Sequence, residues 1–299
     1  MTLRSGIIIR AAGGFYDVET ETETVRCTMR GRLKRIKRRT DLCVIGDQVV
    51  IDGDERPTVE EILPRVRVFS RRHPGRSGAY QEDVLIANLD RLLIVFAHGD
   101  PPLRPRMLDR FLIICEHNDL EAIVIANKQD QQNAECSRIF DNCAALGYQI
   151  VKTSAKTGEG IEMLQSLLAG HISAFVGPSG VGKSSLLNAI DPELSIRVAE
   201  TSESHGKGRH TTRVATLHPL AGGHVADTPG IRELGAWALP MNELDHCFVE
   251  MRPFLGQCAF GDCRHDPEPR CAVKAMVGSA ISEERYASYL RLLHPEPAK

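Results

Sequence analysis

Short apolar stretches separated by turn residues fill the first quarter of the chain. Between about residues 7 and 68 the apolar positions show no helical period, and Gly13-Gly14, Gly46-Asp47 and Gly53-Asp54 mark turns between them. Several short strands at such spacing are typical of a small barrel. The pattern therefore predicts an N-terminal OB-type β-barrel of five strands over residues 1–72.

The pattern changes after residue 72. Residues 69–78 are polar and basic and are interpreted as a linker. Beyond them, strands are predicted at 92–96, 122–125, 149–153 and 171–176, alternating with helices at 103–118, 132–146, 161–168 and 183–189. This alternation predicts an α/β unit over residues 73–235, with a mostly parallel sheet that binds its ligand at the carboxyl ends of the strands.

The last part of the chain, residues 236–299, is predicted to form a third, α-helical unit. A helix, a segment rich in cysteine and histidine, and a second helix at 281–293 follow one another there, and the tail at 295–299 is expected to fray. A chain of 299 residues is long enough for three such units.

Composition excludes a membrane-spanning or disordered chain. The chain is 42% hydrophobic with a mean hydropathy of -0.19, which is typical of globular proteins. Its longest apolar stretch, residues 92–97, is too short to span a bilayer, and no apolar leader opens the sequence. We expect a cytoplasmic protein without a membrane partner, and a monomer.

Basic charge is concentrated near the start of the chain. The first 80 residues hold 16 lysines and arginines against 11 aspartates and glutamates, although the net charge of the whole chain is -2. Between Arg26 and Arg39 there are eight basic residues and no acidic one. Such a segment suits a polyanion. The candidate contacts are Arg30, Arg32, Lys34, Arg35 and Lys37.

A phosphate-binding loop lies between a predicted strand and a predicted helix. Residues 177–184 match the pattern Gly-x-x-x-x-Gly-Lys-Ser completely. In such a loop backbone N–H groups surround phosphate oxygens, Lys183 reaches the β and γ phosphates, and Ser184 binds magnesium. The candidate nucleotide contacts are Gly177, Pro178, Ser179, Gly180, Val181, Gly182, Lys183, Ser184 and Ser185.

A second motif predicts that the base is guanine. Asn127-Lys128-Gln129-Asp130 follows a predicted strand, and Ser154-Ala155-Lys156 follows the next one. A carboxylate at Asp130 can accept hydrogen bonds from guanine N1–H and its exocyclic amine, which adenine cannot offer. We expect Lys128 to lie along the ring and the Ala155 amide to donate to the guanine oxygen, with Asn127, Ser154 and Lys156 completing the set.

The sequence also contains the expected parts of a magnesium site and a switch. Asp227-Thr228-Pro229-Gly230 should place Asp227 near magnesium and the Gly230 amide at the γ phosphate. The polar stretch 201–213 is where a switch segment with a metal-binding threonine belongs; Thr212 is favoured slightly over Thr211. The predicted magnesium ligands are Ser184, Thr212 and Asp227.

One expected catalytic part is missing. Ile231 follows Gly230, so no glutamine stands where many GTPases orient the attacking water, and intrinsic hydrolysis should be slow. Our hypothesis is that a partner completes the site and that His210 positions the water. A solvated surface histidine is almost as good an interpretation. The predicted catalytic residues are His210, Lys183 and Thr212.

The order of these motifs predicts a circular permutation. In most GTPases the phosphate loop comes near the start and the base-recognition motif near the end, whereas here residues 127–130 precede residues 177–184. Joining the termini of a domain and opening it elsewhere preserves a site while moving its ends. The central unit is therefore predicted to be a circularly permuted P-loop GTPase domain.

The cysteines predict a metal site rather than disulfides. The count of nine is odd, and Cys258, Cys263, His265 and Cys271 fall within fourteen residues. Three thiolates and one imidazole favour tetrahedral zinc in a structural role, one ion per chain. The other six cysteines, at 27, 43, 115, 136, 143 and 247, are interpreted as ordinary thiols.

Taken together, these motifs resemble the RsgA family of ribosome small-subunit-dependent GTPases, also called YjeQ. The resemblance covers nearly the whole chain, from the segment at 13–16 and the basic stretch through the permuted site and residues 208–212 to the cysteine–histidine cluster. It implies a barrel that binds ribosomal RNA, a permuted GTPase and a zinc-binding helical domain. It further implies action late in maturation of the small ribosomal subunit, with GTP hydrolysis stimulated by the subunit and coupled to release.

Two other functions fit parts of the sequence. An RNA-binding module could use its nucleotide only to stabilise the fold, but the complete set of Lys183, Ser184 and Asp227 argues against it. A permuted GTPase of large-subunit assembly would share the motif order. That group is not expected to combine a barrel in front with a cysteine cluster behind.

Overall fold

The computed structural model describes residues 3–31, 43–74, 80–193, 215–227 and 241–294. Its strands are β1 (Arg4–Ala12), β2 (Phe15–Glu19), β3 (Thr24–Met29), β4 (Gln48–Asp52), β5 (Thr58–Ile62), β6 (Val68–Pro74), β7 (Tyr80–Ala87), β8 (Arg91–Ala97), β9 (Glu121–Asn127), β10 (Gln149–Lys152), β11 (Ile172–Val176), β12 (Thr216–Leu220) and β13 (Gly223–Asp227). Its α-helices are α1 (Pro105–His117), α2 (Ala134–Ala145), α3 (Ile161–Leu168), α4 (Lys183–Ile190), α5 (Ala272–Ala275) and α6 (Glu283–Leu293).

The first five strands close into a barrel, as the sequence predicts. β1 pairs with both β2 and β4, β2 pairs with β3, and β5 lies between β3 and β4. Alternation along β3 shows how the sequence specifies this, because Val25, Cys27 and Met29 are buried while the residues between them are exposed. The barrel core also contains Ile8 and Val49.

A mostly parallel sheet forms the centre of the molecule. Its order is β10-β9-β8-β11-β13-β12, and only β12 is antiparallel to its neighbour. The apolar side chains of α1 and α2 pack in the cluster on one face, and those of α3 and α4 in the cluster on the other. β8 is buried on both faces, as expected for a central parallel strand.

The prediction of a linker at 69–78 is wrong for residues 69–74. These residues belong to β6, which pairs with β7 as a two-stranded hairpin. Phe69 lies opposite Ile86, and both side chains are fully buried in the central core. One buried apolar residue on each strand therefore anchors the hairpin in the central core. β12, which the sequence analysis did not predict, forms a hairpin with β13.

Barrel and central sheet are directly connected. β1 extends beyond the barrel and pairs with β12 at Arg10 and Thr216, so that eleven strands form one continuous sheet. The Ala87 amide donates to Ile45 O at 2.9 Å and joins β7 to the barrel.

The C-terminal unit packs on α1. Residues 241–251 form successive turns, a 3₁₀ turn follows at Arg252–Phe254, and α6 confirms the predicted terminal helix. The sequence predicts no end for the helix expected from about residue 236, and residues 236–240 lie outside the described part of the chain. Ile113 of α1 shares one apolar cluster with Leu244, Phe248 and Tyr289. Within the described parts of the chain, every helix is too short or too polar to cross a bilayer.

Candidate nucleotide site and metal centre

The predicted nucleotide residues lie along one edge of the central sheet. β8, β9, β10, β11 and β13 run parallel, so their carboxyl ends meet at the same edge. β9 ends at Asn127, β11 ends directly before Gly177, and β13 ends at Asp227. Residues separated by up to a hundred positions in sequence thus share the edge where ligands of such sheets bind.

The phosphate loop has the predicted strand–loop–helix context. Gly177, Gly180 and Gly182 all adopt positive φ angles, which favour glycine. A Cβ on Gly177 would lie 2.1 Å from Val95 O, so a larger residue cannot be placed there without moving the neighbouring strand. The loop continues into α4, whose first residues are Lys183, Ser184 and Ser185.

The ammonium group of Lys183 lies over this loop. Its Nζ donates to Gly177 O and Pro178 O, each at 2.7 Å. These contacts hold the positive charge at the mouth of the loop, where the backbone and the start of a helix already favour an anion.

Asn127 connects the two motifs. Its Nδ2 donates to Val181 O in the phosphate loop at 2.8 Å, and its Oδ1 accepts from Thr153 Oγ1 at 3.1 Å. Both Asn127 and Thr153 are buried. The side chain thus ties the base-recognition segment, the phosphate loop and the segment after β10 into one unit. Its contact with the nucleotide itself stays a prediction.

Asp130 is held in the charged state that guanine recognition requires. Ser154 Oγ donates to Asp130 Oδ1 at 2.7 Å, and Lys156 Nζ lies 3.7 Å from Asp130 Oδ2. The hydrogen bond from Ser154 is the main cause that lowers the pKa of Asp130, and the charge of Lys156 acts in the same direction. An ionised carboxylate is an acceptor only, which matches the two donors on the guanine edge.

Sequence reasoning missed two neighbours of this site. Lys128 adopts a left-handed backbone conformation, and its Nζ donates to Asp100 O at 2.6 Å. Asp100 and Thr153 belong to loops after other strands, so only the assembled sheet places them beside the motif. The sole sequence signal for Thr153 is its position directly before Ser154.

Several predicted residues lie outside the described part of the chain. They include the whole switch stretch with Thr211, Thr212 and His210, and also Gly230. Of the predicted RNA contacts, Arg30 is described: it follows β3 and forms an ion pair with Glu60 while its side chain stays 45% exposed. The others, Arg32, Lys34, Arg35 and Lys37, lie outside.

The structure brings together all four residues of the cysteine–histidine cluster, which could hold a metal ion. One ligand atom from each of Cys258, Cys263, His265 and Cys271 lies within 4.8 Å of all the others. Cys258 Sγ is 3.7 Å from Cys271 Sγ, and His265 Nδ1 is 3.5 and 3.3 Å from these two sulfurs.

These separations fit zinc. Tetrahedral bonds of about 2.3 Å to sulfur and about 2.0 Å to nitrogen place two sulfurs about 3.8 Å apart and sulfur about 3.5 Å from nitrogen. The donor set is also the one that zinc prefers. His265 and Cys271 are buried, and four protein ligands leave no open position for substrate, which is typical of a structural site.

The fold and the site together define a circularly permuted P-loop GTPase with a barrel before it and a unit with a cysteine–histidine cluster behind it. Comparison with known proteins gives the same class. The model of the RsgA GTPase family matches residues 62–237, and that of the RsgA N-terminal domain matches residues 5–58. The chain belongs to the RsgA GTPase family.

Similar proteins match over nearly their whole length. A small ribosomal subunit biogenesis GTPase RsgA from Gemmatimonas aurantiaca is 44% identical over 97% of each chain, and one from Moorella thermoacetica is 41% identical over 96% of each. The structure of YjeQ from Thermotoga maritima superposes with a TM-score of 0.78 at 34% identity, covering 98% of both chains. YloQ, a circularly permuted GTPase, gives 0.74 at 28% identity, covering 100% of this chain and 98% of its own.

Proposed function

We propose that this GTPase binds the small ribosomal subunit, assists its late maturation, and hydrolyses GTP when the subunit stimulates it, so that hydrolysis drives its release. The observation that carries the nucleotide part is the hydrogen bond from Asn127 to Val181, because it joins base-recognition and phosphate-binding motifs that occur in rotated order. The names of the relatives support the small subunit as the partner.

The roles that we propose for individual residues follow from their positions at the carboxyl edge of the central sheet. Lys183 neutralises charge on the β and γ phosphates, and the carboxylate of Asp130 selects guanine over adenine. Ser184 and Asp227 offer the hydroxyl and carboxylate oxygens that magnesium prefers, with Thr212 as the third protein ligand. Magnesium, when bound there with GTP, supplies further neutralisation of phosphate charge.

Switching would depend on the segment that contains Thr212. Contacts to the γ phosphate and magnesium order such segments, and hydrolysis removes those contacts. His210 would position the attacking water once the subunit has docked. The basic stretch that begins at Arg30 would track phosphates of ribosomal RNA, and zinc would hold the C-terminal unit in shape.

Turnover measured with and without purified small subunits tests this proposal. We expect a slow basal rate of GTP turnover, since the residue after Gly230 is not glutamine. Adding small subunits at low salt should raise this rate by a factor on the order of 10 or more. The stimulated rate at fixed subunit concentration should fall steeply as salt rises, because phosphate contacts release counterions.

Large ribosomal subunits at the same concentration are the control and should not stimulate turnover. His210→Ala should lower the stimulated rate by a factor on the order of 10² if His210 positions water. Equal turnover with and without small subunits would remove the ribosomal part of the proposal. An unchanged stimulated rate in His210→Ala would remove His210 alone.

A further inference from the structure

The ring of His265 has a definite orientation in the metal cluster. Its Nδ1 faces the sulfurs of Cys258 and Cys271, and its Nε2 lies 3.3 Å from Asp245 Oδ2. A neutral imidazole carries one N–H, and the nitrogen that binds a metal must present its lone pair. The proton therefore belongs on Nε2, where Asp245 can accept it.

Asp245 is itself held in place. Its Oδ1 accepts a hydrogen bond from the His246 amide at 2.9 Å, which leaves Oδ2 directed at His265. The His265 side chain is 3% exposed, so few other acceptors can reach its Nε2. Carboxylates that accept the second N–H of a metal-binding histidine fix the tautomer and make the nitrogen a better ligand.

The backbone around His265 is held by the terminal helix. Tyr286 Oη donates to His265 O and Tyr289 Oη donates to Arg264 O, each at 2.7 Å. These contacts support a φ angle of 59° at His265, a conformation that costs energy for a residue with a Cβ. The ligand is thus positioned from two sides, by α6 through its backbone and by Asp245 through its ring.

The segment that contains Asp245 is also the one that docks on α1. Glu243 Oε2 lies 3.4 Å from Nδ1 of His117, the last residue of α1, and Arg252 forms an ion pair with Glu116 of the same helix. Leu244 and Phe248 pack in the same apolar cluster as Ile113 of α1. The contact from Asp245 to His265 therefore joins the metal cluster to the surface that holds the C-terminal unit on the GTPase unit.

We propose that Asp245 is the positioning residue of the metal centre, and that it couples metal binding to the docking of residues 243–252 on α1. Asp245 accepts the Nε2–H of His265 and directs Nδ1 at the metal. Loss of the metal frees this ring and loosens the segment, and through it the contact with α1. This inference concerns the chain's own metal cluster and stands independently of any action on ribosomes.

Zinc affinity of the full chain tests the positioning role. Asp245→Ala is expected to weaken zinc binding by about 10–100-fold in competition with a chromogenic chelator. The zinc affinity of Asp245→Asn should lie between those of Asp245→Ala and the unaltered chain, because the amide oxygen of asparagine still accepts the N–H but carries no charge. Asp262→Ala is the matched control, since Asp262 is an exposed carboxylate next to the ligand Cys263, and it should bind zinc like the unaltered chain.

A measurement without any substitution keeps the test decisive if Asp245→Ala does not fold. NMR spectra of the zinc-loaded chain labelled with ¹⁵N-histidine should contain one histidine whose resonances depend on zinc. Those resonances, assigned to His265, should show a proton on Nε2 and the metal at Nδ1. A proton on Nδ1, the absence of bound zinc from the purified chain, or equal affinity in Asp245→Ala and Asp262→Ala would each overturn the positioning role.

Hydrogen exchange tests the coupling. Removing zinc with a chelator should raise deuterium uptake in peptides that cover α1, while peptides from the barrel strands β1–β3 stay protected as an internal control. Unchanged uptake in α1 after complete removal of zinc would overturn the coupling.

Discussion

Lys183→Ala is expected to reduce GTP turnover by a factor on the order of 10²–10³, because it removes the positive charge that we propose neutralises the β and γ phosphates. The free energy of unfolding should change by less than about 1 kcal/mol, since Lys183 is a half-buried residue at the start of α4 and lies outside the apolar cores. Single-turnover kinetics and urea denaturation of the same preparation measure both quantities.

The control for this experiment is Lys152→Ala, which removes the same charge from an exposed lysine at the end of β10. It should retain turnover. The alternative, a nucleotide that stabilises the fold without being turned over, makes a different prediction for Lys183→Ala: a less stable protein, with no loss of turnover relative to the unaltered chain. That outcome would contradict the assignment of Lys183 to catalysis.

Arg285→Met is expected to lower the free energy of unfolding by about 3–5 kcal/mol, because it leaves two poorly hydrated carboxylates without their partner. Arg285 Nε and Nη2 donate to the two oxygens of Glu250 at 2.6 and 3.2 Å, and Nη1 donates to Asp109 of α1. Its guanidinium carbon also lies 4.6 Å from the centre of the Phe248 ring.

The guanidinium stays charged despite its burial. Desolvation lowers the pKa of Arg285, but hydrogen bonds and charges of Glu250 and Asp109 outweigh it and raise the pKa above its ordinary value. Arg291→Ala is the matched control, because Arg291 is an exposed arginine on the same helix, and it should change stability by less than about 0.5 kcal/mol. A similarly small change in Arg285→Met would show that these contacts do not hold the C-terminal unit on α1.

The parts of this protein that the sequence predicts well are those in which function fixes both residue type and local spacing. The phosphate loop needs glycines and a lysine at set positions, and its strand and helix follow from plain apolar patterns at 172–176 and 183–190. The cysteine–histidine cluster has a local signature as well. Their arrangement in space required little beyond the rule that parallel strands end at one edge.

Contacts between distant segments could not be predicted in the same way. Arg285 and Asp109 are 176 positions apart, and Asn127 and Val181 are 54 apart. No periodicity links such pairs, so they follow from the tertiary fold alone. The hairpin of β6 and β7 was missed for a related reason: polar and basic residues suggested a linker, although buried apolar residues, among them Phe69 and Ile86, lie within the paired strands.

The central claim is that separate segments form one guanine-nucleotide site despite their rotated order. Isothermal titration of the magnesium-loaded protein with non-hydrolysable GTP and ATP analogues tests it most directly. We predict that the guanine analogue binds more tightly by a factor of about 10² or more, and that Asp130→Asn removes most of this preference. Equal affinity for the two analogues in the unaltered protein would contradict the account.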